Sequence, residues 1–573
     1  MYKVERYSLS SIVELSAKHY GDRPALSMIG GKTFSYSDVE TLSRRYGLLL
    51  QHYGLKRGDK VLLLAENSPY WGIAYFAIVQ SGGIVVPILT DFTASQVKNI
   101  LNHSEAKFVL CSEKYRSRVE VPDSSVVLLD IRTGRPLESN GLQTNPGLQA
   151  SVGNGKTGSP GLDTLDASEF IPVQPSPDDV ATIIYTSGTT GQPKGVMLSH
   201  RNILSNAIAT RSIIVLRRSD RLLSILPLAH TYEFTIGFII PFLAGSHIYY
   251  LDKPPTATAL LPALSFVKPT IMLSVPLVIE KIYLASIRPS LESIKAYQNP
   301  IFRPLLIRVA GSKLKKTFGG KLRFFGIGGA ALAPECEAFL KKAGFPYAIG
   351  YGLTETSPLL AGSSPKKTKL RSTGKALKGV SLRINSPNPI SGEGELEARG
   401  ENVFIGYYKD PDRTKEAFTE DGWFKTGDLG YMDSKGRLYI RGRCKTMILG
   451  ASGENIYPEE IEALLNESPY IEESLVLEED GALTAMVYLK SEILSDLESK
   501  VRDRIEFAEM RSSEAVHALL ESIRKETNEK LAGFSKIRTL RLHREPFEKT
   551  PTQKIKRFLY GKQDSRNATN DHS

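Results

Sequence analysis

The sequence predicts an α/β fold. Three observations carry that prediction: apolar runs too continuous for half-exposed strands, helical spacing between them, and a glycine- and hydroxyl-rich loop directly after one run. Near the N-terminus Ser37-Asp-Val-Glu40 reads as a capping box, with Val39, Leu42, Tyr46 and Leu49 following at helical spacing. Lys60-Val-Leu-Leu-Leu64 reads as a buried strand, Trp71 to Gln80 as a helix, and Gly83-Ile-Val-Val-Pro87 as a second buried strand. The region from Arg132 to Pro177 is rich in Gly, Ser, Pro, Asn and Gln and predicts a long surface connection.

The run Ala181 to Tyr185 predicts another buried strand, and it leads into Tyr185-Thr-Ser-Gly-Thr-Thr-Gly-Gln-Pro-Lys-Gly195. Such a loop suits phosphate. Gly188 and Gly191 let successive amides turn towards one anion, Thr186, Ser187, Thr189 and Thr190 add hydroxyl donors, and Lys194 adds a positive charge. It is not a Walker loop, because Lys194 stands between Pro193 and Gly195 instead of after Gly and before Ser or Thr. The competing reading is a solvated turn.

Strand and helix signals alternate again through Lys321-Leu-Arg-Phe-Phe325 and Tyr347-Ala-Ile-Gly-Tyr351, which predicts a second α/β half. From about Gly374 short strands with Gly and Asp turns, such as Gly394 to Arg399 and Gly436 to Ile440, predict a small antiparallel sheet or barrel. The tail from about Lys445 reads as helical, and the residues after about Lys562 as disordered.

The 573 residues, 41% hydrophobic, fit a globular chain of two or three domains. Cys111, Cys336 and Cys444 have no metal-ligand spacing and do not suggest a disulfide framework, so a reducing cytoplasm is expected. The opening MYKVERYSLSSIVEL lacks the pattern of a signal peptide, and Leu222 to Tyr250 is interrupted by polar residues and prolines, so it reads as core or pocket. A net charge of +11 suits anionic partners: nucleotides, coenzyme A, acidic carrier proteins or an anionic lipid surface. Basic density is visible at Arg303 to Arg308 and Lys313 to Lys316, but without the interleaved aromatics of a nucleic-acid platform, so nucleic acid is not expected.

Three further segments carry chemistry. In Tyr351-Gly-Leu-Thr-Glu-Thr356, Glu355 offers a carboxylate for Mg²⁺ and Thr354 a donor for phosphate. In Trp423-Phe-Lys-Thr-Gly-Asp428 the terminal acid suits ribose hydroxyls. In Lys549-Thr-Pro-Thr-Gln-Lys-Ile-Lys556 a lysine beside threonines could neutralise charge developing at a phosphate. Each alone has a plain structural reading: a polar strand end, an ordinary turn, a solvated basic run.

Together and in this order, YTSGTTGQPKGV, Gly328-Gly-Ala330, YGLTET, TGD and KTPTQKIKR resemble the adenylate-forming superfamily of acyl-CoA synthetases, peptide-synthetase adenylation domains and luciferases. Leu226-Pro-Leu-Ala-His-Thr-Tyr-Glu233, Pro269 to Pro276 and Gly453 to Glu460 are similar to its long-chain fatty acyl-CoA synthetase branch. The resemblance implies a large N-terminal domain, residues 1–442, of two α/β sheet subdomains plus a small β-barrel. It also implies a small mobile α+β domain, residues 443–573, with a hinge at Lys445.

Residue by residue, it implies that Thr186, Ser187, Gly188, Thr189, Thr190 and Lys194 cradle the β- and γ-phosphates of ATP. Gly329 and Ala330 would line the adenine and acyl side, and Tyr351 and Gly352 would flank the base. Thr354 and Glu355 would meet the α-phosphate and Mg²⁺, with Thr186 a second candidate near the metal. Asp428 and Arg443 would bind ribose, and Lys554 would be the adenylation lysine. His230 would position the carboxylate, against the reading of a pocket-wall histidine, and Phe234 to Phe242 would wall an acyl tunnel. One departure is Gln553, where the family usually has Gly before the lysine.

The implied reaction joins a fatty acid to ATP as an acyl-adenylate with loss of pyrophosphate, then passes the acyl group to the thiol of coenzyme A and releases AMP. An acyl-carrier-protein thiol is the alternative acceptor. A non-catalytic binder that kept the fold is the alternative of a different class. The expected location is cytoplasmic, with a possible peripheral contact on the inner face of a membrane.

Overall fold

The computed structural model describes residues 4, 7–121, 125–137, 161–187, 193–253, 255–449, 454–479, 481–491, 493, 514–550 and 554–561. The predicted tips at 188–192, 450–453 and 551–553, half of the connection 132–177 (residues 138–160) and the tail from 562 lie outside them.

The first α/β half is a seven-stranded sheet. Five strands run parallel in the order Val180–Ser187, Ile84–Pro87, Lys60–Leu64, Phe108–Cys111 and Val127–Asp130. Helices on both faces explain the unbroken apolar runs, since Val61 to Leu64 are all fully buried. The helix Tyr36–His52 begins two residues earlier than the sequence suggests: Ser35 and Asp38 form the capping box, not Ser37 and Glu40. The strand Val180–Ser187 pairs antiparallel with Pro193–Ser199, so the two flanks of the predicted phosphate loop lie side by side, with Thr186 opposite Lys194.

The second half is a thirteen-stranded sheet. Its parallel part runs Tyr347–Gly352, Phe324–Ile327, Ile271–Ser274, Arg221–Ser224, His247–Tyr250 and Pro24–Met28. The strand expected at 321–325 lies three residues later, because Leu322 and Arg323 still belong to the connection. The antiparallel strands expected after Gly374 join this sheet edge to edge through Leu359–Gly362 and Gly374–Ala376, and end in the hairpin Phe424–Met432 and Arg437–Arg443.

The tail is not simply helical. Ile471–Glu479, Ala482–Leu489 and Thr539–Leu542 form a sheet of their own, covered by the helices Pro458–Leu465 and Glu514–Glu529 around a separate core. Alternating charge hid those strands: Ile471, Ser474 to Val476, and Leu483 to Ala485 are buried, while acids stand between and after them, Glu478 exposed and Glu473 bonded to the Phe547 amide.

The segment Phe234 to Phe242 is packed core. A π-helix, Tyr232–Ile239, runs into the helix Ile240–Ala244, and Phe234, Phe238 and Phe242 interleave with Trp71, Tyr75 and Phe76 at 4.4 to 6.0 Å. Gly72 makes room, since a Cβ there would lie 2.7 Å from the Phe238 ring. Among the described residues no helix is long and apolar enough to cross a membrane.

Candidate active site

The site forms where both large sheets present loops to the tail segment. Of the phosphate loop, Gly188, Thr189 and Thr190 lie outside the described residues, and Ser187 is placed by its backbone alone. Its described flanks are firmly held. Tyr185 donates or accepts a 2.7 Å hydrogen bond with His103 Nδ1, and Lys194 sits in the ladder with its ammonium 5.0 Å from the Tyr407 ring centre.

Tyr407 links the hairpin to the YGLTET segment. It lies on the short strand Gly406–Tyr407, paired with Val196, and its hydroxyl donates to Glu355 Oε1 at 3.0 Å. The Phe404 amide donates to the Glu355 carbonyl at 2.8 Å. Two buried asparagines fix the same turn: Asn402 donates to the Thr356 carbonyl at 2.8 Å, and Asn206 donates to the Leu359 carbonyl at 2.6 Å. These hold Thr354 and Glu355 at the strand end. Gly352 is required before them, since a Cβ there would fall 1.9 Å from the Pro358 carbonyl oxygen.

Asp428 and Arg443 face each other in register across the hairpin, with Arg443 Nε 3.4 Å from Asp428 Oδ1. The Tyr351 hydroxyl donates to Asp428 Oδ2 at 2.6 Å. Burial raises the Asp428 pKa despite Arg443 and Tyr351. Lys445 is exposed in the turn that follows, closed by the Met447 amide on the Arg443 carbonyl at 3.1 Å.

His230 ends the loop after Arg221–Ser224. The Tyr232 amide donates to His230 Nδ1 at 3.2 Å, so the ring proton belongs on Nε2. Burial, reinforced by Lys554, pushes the His230 pKa down to about 4, which keeps the ring neutral. Beside it Tyr232 packs on the end of Phe324–Ile327, 3.3 Å from where a Gly328 Cβ would stand, and the exposed Gly329 and Ala330 follow.

Lys554 is brought to the same place from the tail. A bridge between Lys549 and Ile555 and the Thr550 amide bonded to the Lys554 carbonyl at 2.8 Å close its loop. Although the residue is exposed as a whole, its ammonium end is surrounded by protein. Burial and Arg443 lower its pKa, while Asp428, Glu355 and Glu459 oppose that. Lys194 is depressed by burial too, then by Arg413, Lys445 and Arg443, with Glu355 opposing. Glu355 and Arg443 are therefore common neighbours of both lysines. Cations outweigh acids here, as a polyanion site requires.

Glu355 fits a role beside Mg²⁺. One of its carboxylate oxygens is taken by Tyr407, leaving the other for a cation. Among the described residues no group of three or more His, Cys, Asp or Glu could hold a metal, so an ion here would draw most ligands from phosphate and water. Thr186 is half-buried opposite Lys194, on the far side of the hairpin from Tyr407.

Sequence reasoning missed Tyr407, Asn206 and Asn402, none of which stands in a motif, and gave no role to Glu459, which lies inside the Gly453 to Glu460 segment. It also missed Glu233, whose carboxyl is buried with Oε1 accepting from Ser224 at 2.6 Å and Oε2 unpartnered.

The paired strands flanking a glycine- and hydroxyl-rich segment, an acid at a strand end, an Asp–Arg pair and a lysine brought in from a separately cored unit form one cluster of charge. The chain belongs to the AMP-binding enzyme family, whose profile matches residues 13–408. It is 32% identical to the long-chain-fatty-acid–CoA ligase FadD15 of Mycobacterium tuberculosis, over 76% of this chain and 73% of that one. It is 30% identical to long chain acyl-CoA synthetase 6, peroxisomal, of Arabidopsis thaliana, over 92% and 79%. An ATP-bound RpMatB-BxBclM chimera superimposes with a TM-score of 0.73 at 25% identity, covering 97% of this chain and 98% of that one.

Proposed function

We propose that the protein is an AMP-forming long-chain fatty acid–CoA ligase. The observation that carries this reading is the convergence of Lys194, Lys554 and Arg443 around Glu355 and Asp428 in a chain whose relatives bear that activity.

A carboxylate is a poor acyl donor because its oxide is a bad leaving group. In the proposed first step a carboxylate oxygen attacks the α-phosphorus of ATP, and the bond to the β-phosphate oxygen breaks with its electron pair leaving on pyrophosphate. Lys194 and the predicted phosphate loop hold the leaving group, and Lys554 neutralises charge at the reacting oxygens. Asp428 and Arg443 hold the ribose, Tyr351 and Gly352 flank the base, and Thr354 donates to the α-phosphate. His230, neutral with its proton on Nε2, orients the acyl carboxylate towards Gly329 and Ala330. When bound, Mg²⁺ supplies charge neutralisation on the phosphates, beside Glu355 with Thr186 nearby. In the second step the coenzyme A thiol gives up its proton to water, its sulfur attacks the acyl carbonyl carbon, and the bond from that carbon to the phosphate oxygen breaks with its electron pair leaving on AMP.

Residues 443–573 are proposed to turn about Lys445 between the two steps. The separate core of the tail supports this, as do the side-chain contacts that hold it to the rest of the chain, among them Lys281 with Glu472 at 2.9 Å, Arg441 with Glu460 at 3.1 Å, and Tyr457 with Glu393 at 2.8 Å. AMP release across a fatty-acid length series, with coenzyme A or acyl carrier protein as acceptor, tests the reading. Turnover with oleate and coenzyme A is expected. Turnover only with short or aromatic acids, or only with carrier protein, would overturn it. A peripheral position on a membrane is the finer part of the proposal.

A further inference from the structure

The helix Arg303–Thr317 is apolar on two sides. Ile307, Gly311 and Leu314 face the core, and Gly311 touches the neighbouring chain so closely that a Cβ would lie 2.5 Å from the Ala343 carbonyl. A helix pinned in this way normally turns a polar face to water. Here Phe302, Leu305 and Val309, at 49%, 59% and 58% exposure, form the outward stripe. At 100° per residue Lys313 and Lys316 continue that stripe, and Arg308 flanks it. Apolar and basic residues are therefore segregated along the axis, with about 16 Å of helix between Leu305 and Lys316.

Along the sequence through the stripe the charge has one sign, and Glu292 on the adjoining helix Arg288–Glu292 is paired with Arg288 at 3.0 Å. Between Glu292 and Glu335 the sequence holds eight basic residues and no acidic one. Arg308, Lys313 and Lys316 form no ion pair among the described residues, and Arg303 stacks on Tyr297 at 4.9 Å instead of meeting an acid. The neighbouring helix Ala257–Val267, in contact with this one, adds Phe266 at 67% exposure.

We infer that the outward face of Arg303–Thr317 is a docking surface for an anionic lipid bilayer, with Leu305 and Val309 entering the headgroup boundary and Lys313 and Lys316 meeting lipid phosphates. Charge complementarity selects this occupant. A second copy of the chain would bring the same cations against themselves, whereas an anionic bilayer supplies apolar depth and negative charge within one Debye length of each other. Why the protein would seek a bilayer rests on the fatty-acid reading above, since such substrates partition there; the binding itself does not.

Co-sedimentation of the full chain with phosphatidylcholine vesicles, with and without phosphatidylglycerol, tests the inference. Binding to the anionic vesicles is expected to be at least tenfold stronger. Lys313→Ala with Lys316→Ala should weaken it about thirtyfold, roughly fivefold for each cation. Leu305→Ser with Val309→Ser should weaken it at least tenfold. All these side chains are exposed and none belongs to the site, so ATP–pyrophosphate exchange on a soluble medium-chain acid should stay unchanged and shows that each variant is folded. Equal binding to neutral vesicles, wild-type binding by both double variants, or self-association abolished by Leu305→Ser without vesicle binding would each overturn it. Loss of exchange in the wild type with vesicle binding intact would instead count against the ligase reading alone.

Discussion

Lys194 and Lys554 meet the same neighbours by different means. Lys194 is fixed by a ladder: it pairs with Thr186 in a hairpin that continues into the seven-stranded sheet, and Tyr407 backs its ammonium from the next strand. Lys554 arrives on a short loop of a separately cored unit, held against the rest of the chain by side-chain contacts such as Lys281 with Glu472 and the Arg288 guanidinium on the Glu467 carbonyl. Both ammonium groups have depressed pKa values, and burial is the leading cause for both. The difference lies in the cost of withdrawing them. Removing Lys194 from the site would break a sheet, whereas removing Lys554 needs side-chain hydrogen bonds and ion pairs such as these to open, the exposed ion pairs contributing at most about 1 kcal/mol each. A group needed in one step and unwanted in the next belongs on the second kind of support.

The sharpest way to break that contrast is Lys554→Ala. ATP–pyrophosphate exchange should fall by about a hundred- to a thousandfold, while thioester formation from supplied acyl-adenylate stays largely intact. An equal fall in both half-reactions would show that Lys554 does not act in one step alone.

The next effect concerns rigidity in the large part. Burial raises the Glu233 pKa from 4.5 to about 8, so the folded protein keeps a proton that the unfolded chain releases. Stability should therefore fall as pH rises from about 4.5 through 8, with a cost of about 3 kcal/mol already present at pH 7. Glu233→Gln should remove this slope, read as the difference in melting temperature between variant and wild type at pH 5 and pH 8. Parallel curves would mean that Glu233 is ionised in the fold.

Tyr407→Phe removes the hydrogen bond to Glu355 while keeping the ring under Lys194. Exchange should drop about tenfold, in line with a bond to a charged group, with global stability little changed. The smallest effect is expected from Lys281→Ala, which should cost under about 1 kcal/mol in stability. If the contrast holds, it should still shift the balance between the half-reactions towards thioester formation. A loss in both by the same factor would make that contact merely structural.

Much of the site was legible because its signals are local. The hairpin flanks, the Thr354–Glu355 turn, Asp428 and Lys554 each sit in a short run whose glycines, hydroxyls and charges announce a turn or a strand end. The Asp428–Arg443 pair was only nearly legible: counting from the hairpin turn at Asp433 to Gly436 sets Asp428 opposite Gly442, and a register shift at Leu429/Gly430 brings Arg443 there instead. Tyr407, Asn206 and Asn402 were not legible. They stand about 50 to 150 residues from the turn they hold, and nothing in an isolated Asn or Tyr says which distant carbonyl or carboxylate it will meet.

The sequence by itself determined the α/β class, the order of the chemical segments and the types of side chain each would offer. Those follow from hydrophobic periodicity and turn chemistry within a dozen residues. Only the tertiary structure decided that Glu355 and Arg443 lie beside both lysines, that the tail has its own sheet, and that one helix turns an apolar stripe and its lysines outward. Sheet order, burial and long-range pairing set these, and they depend on which segments become neighbours across hundreds of residues.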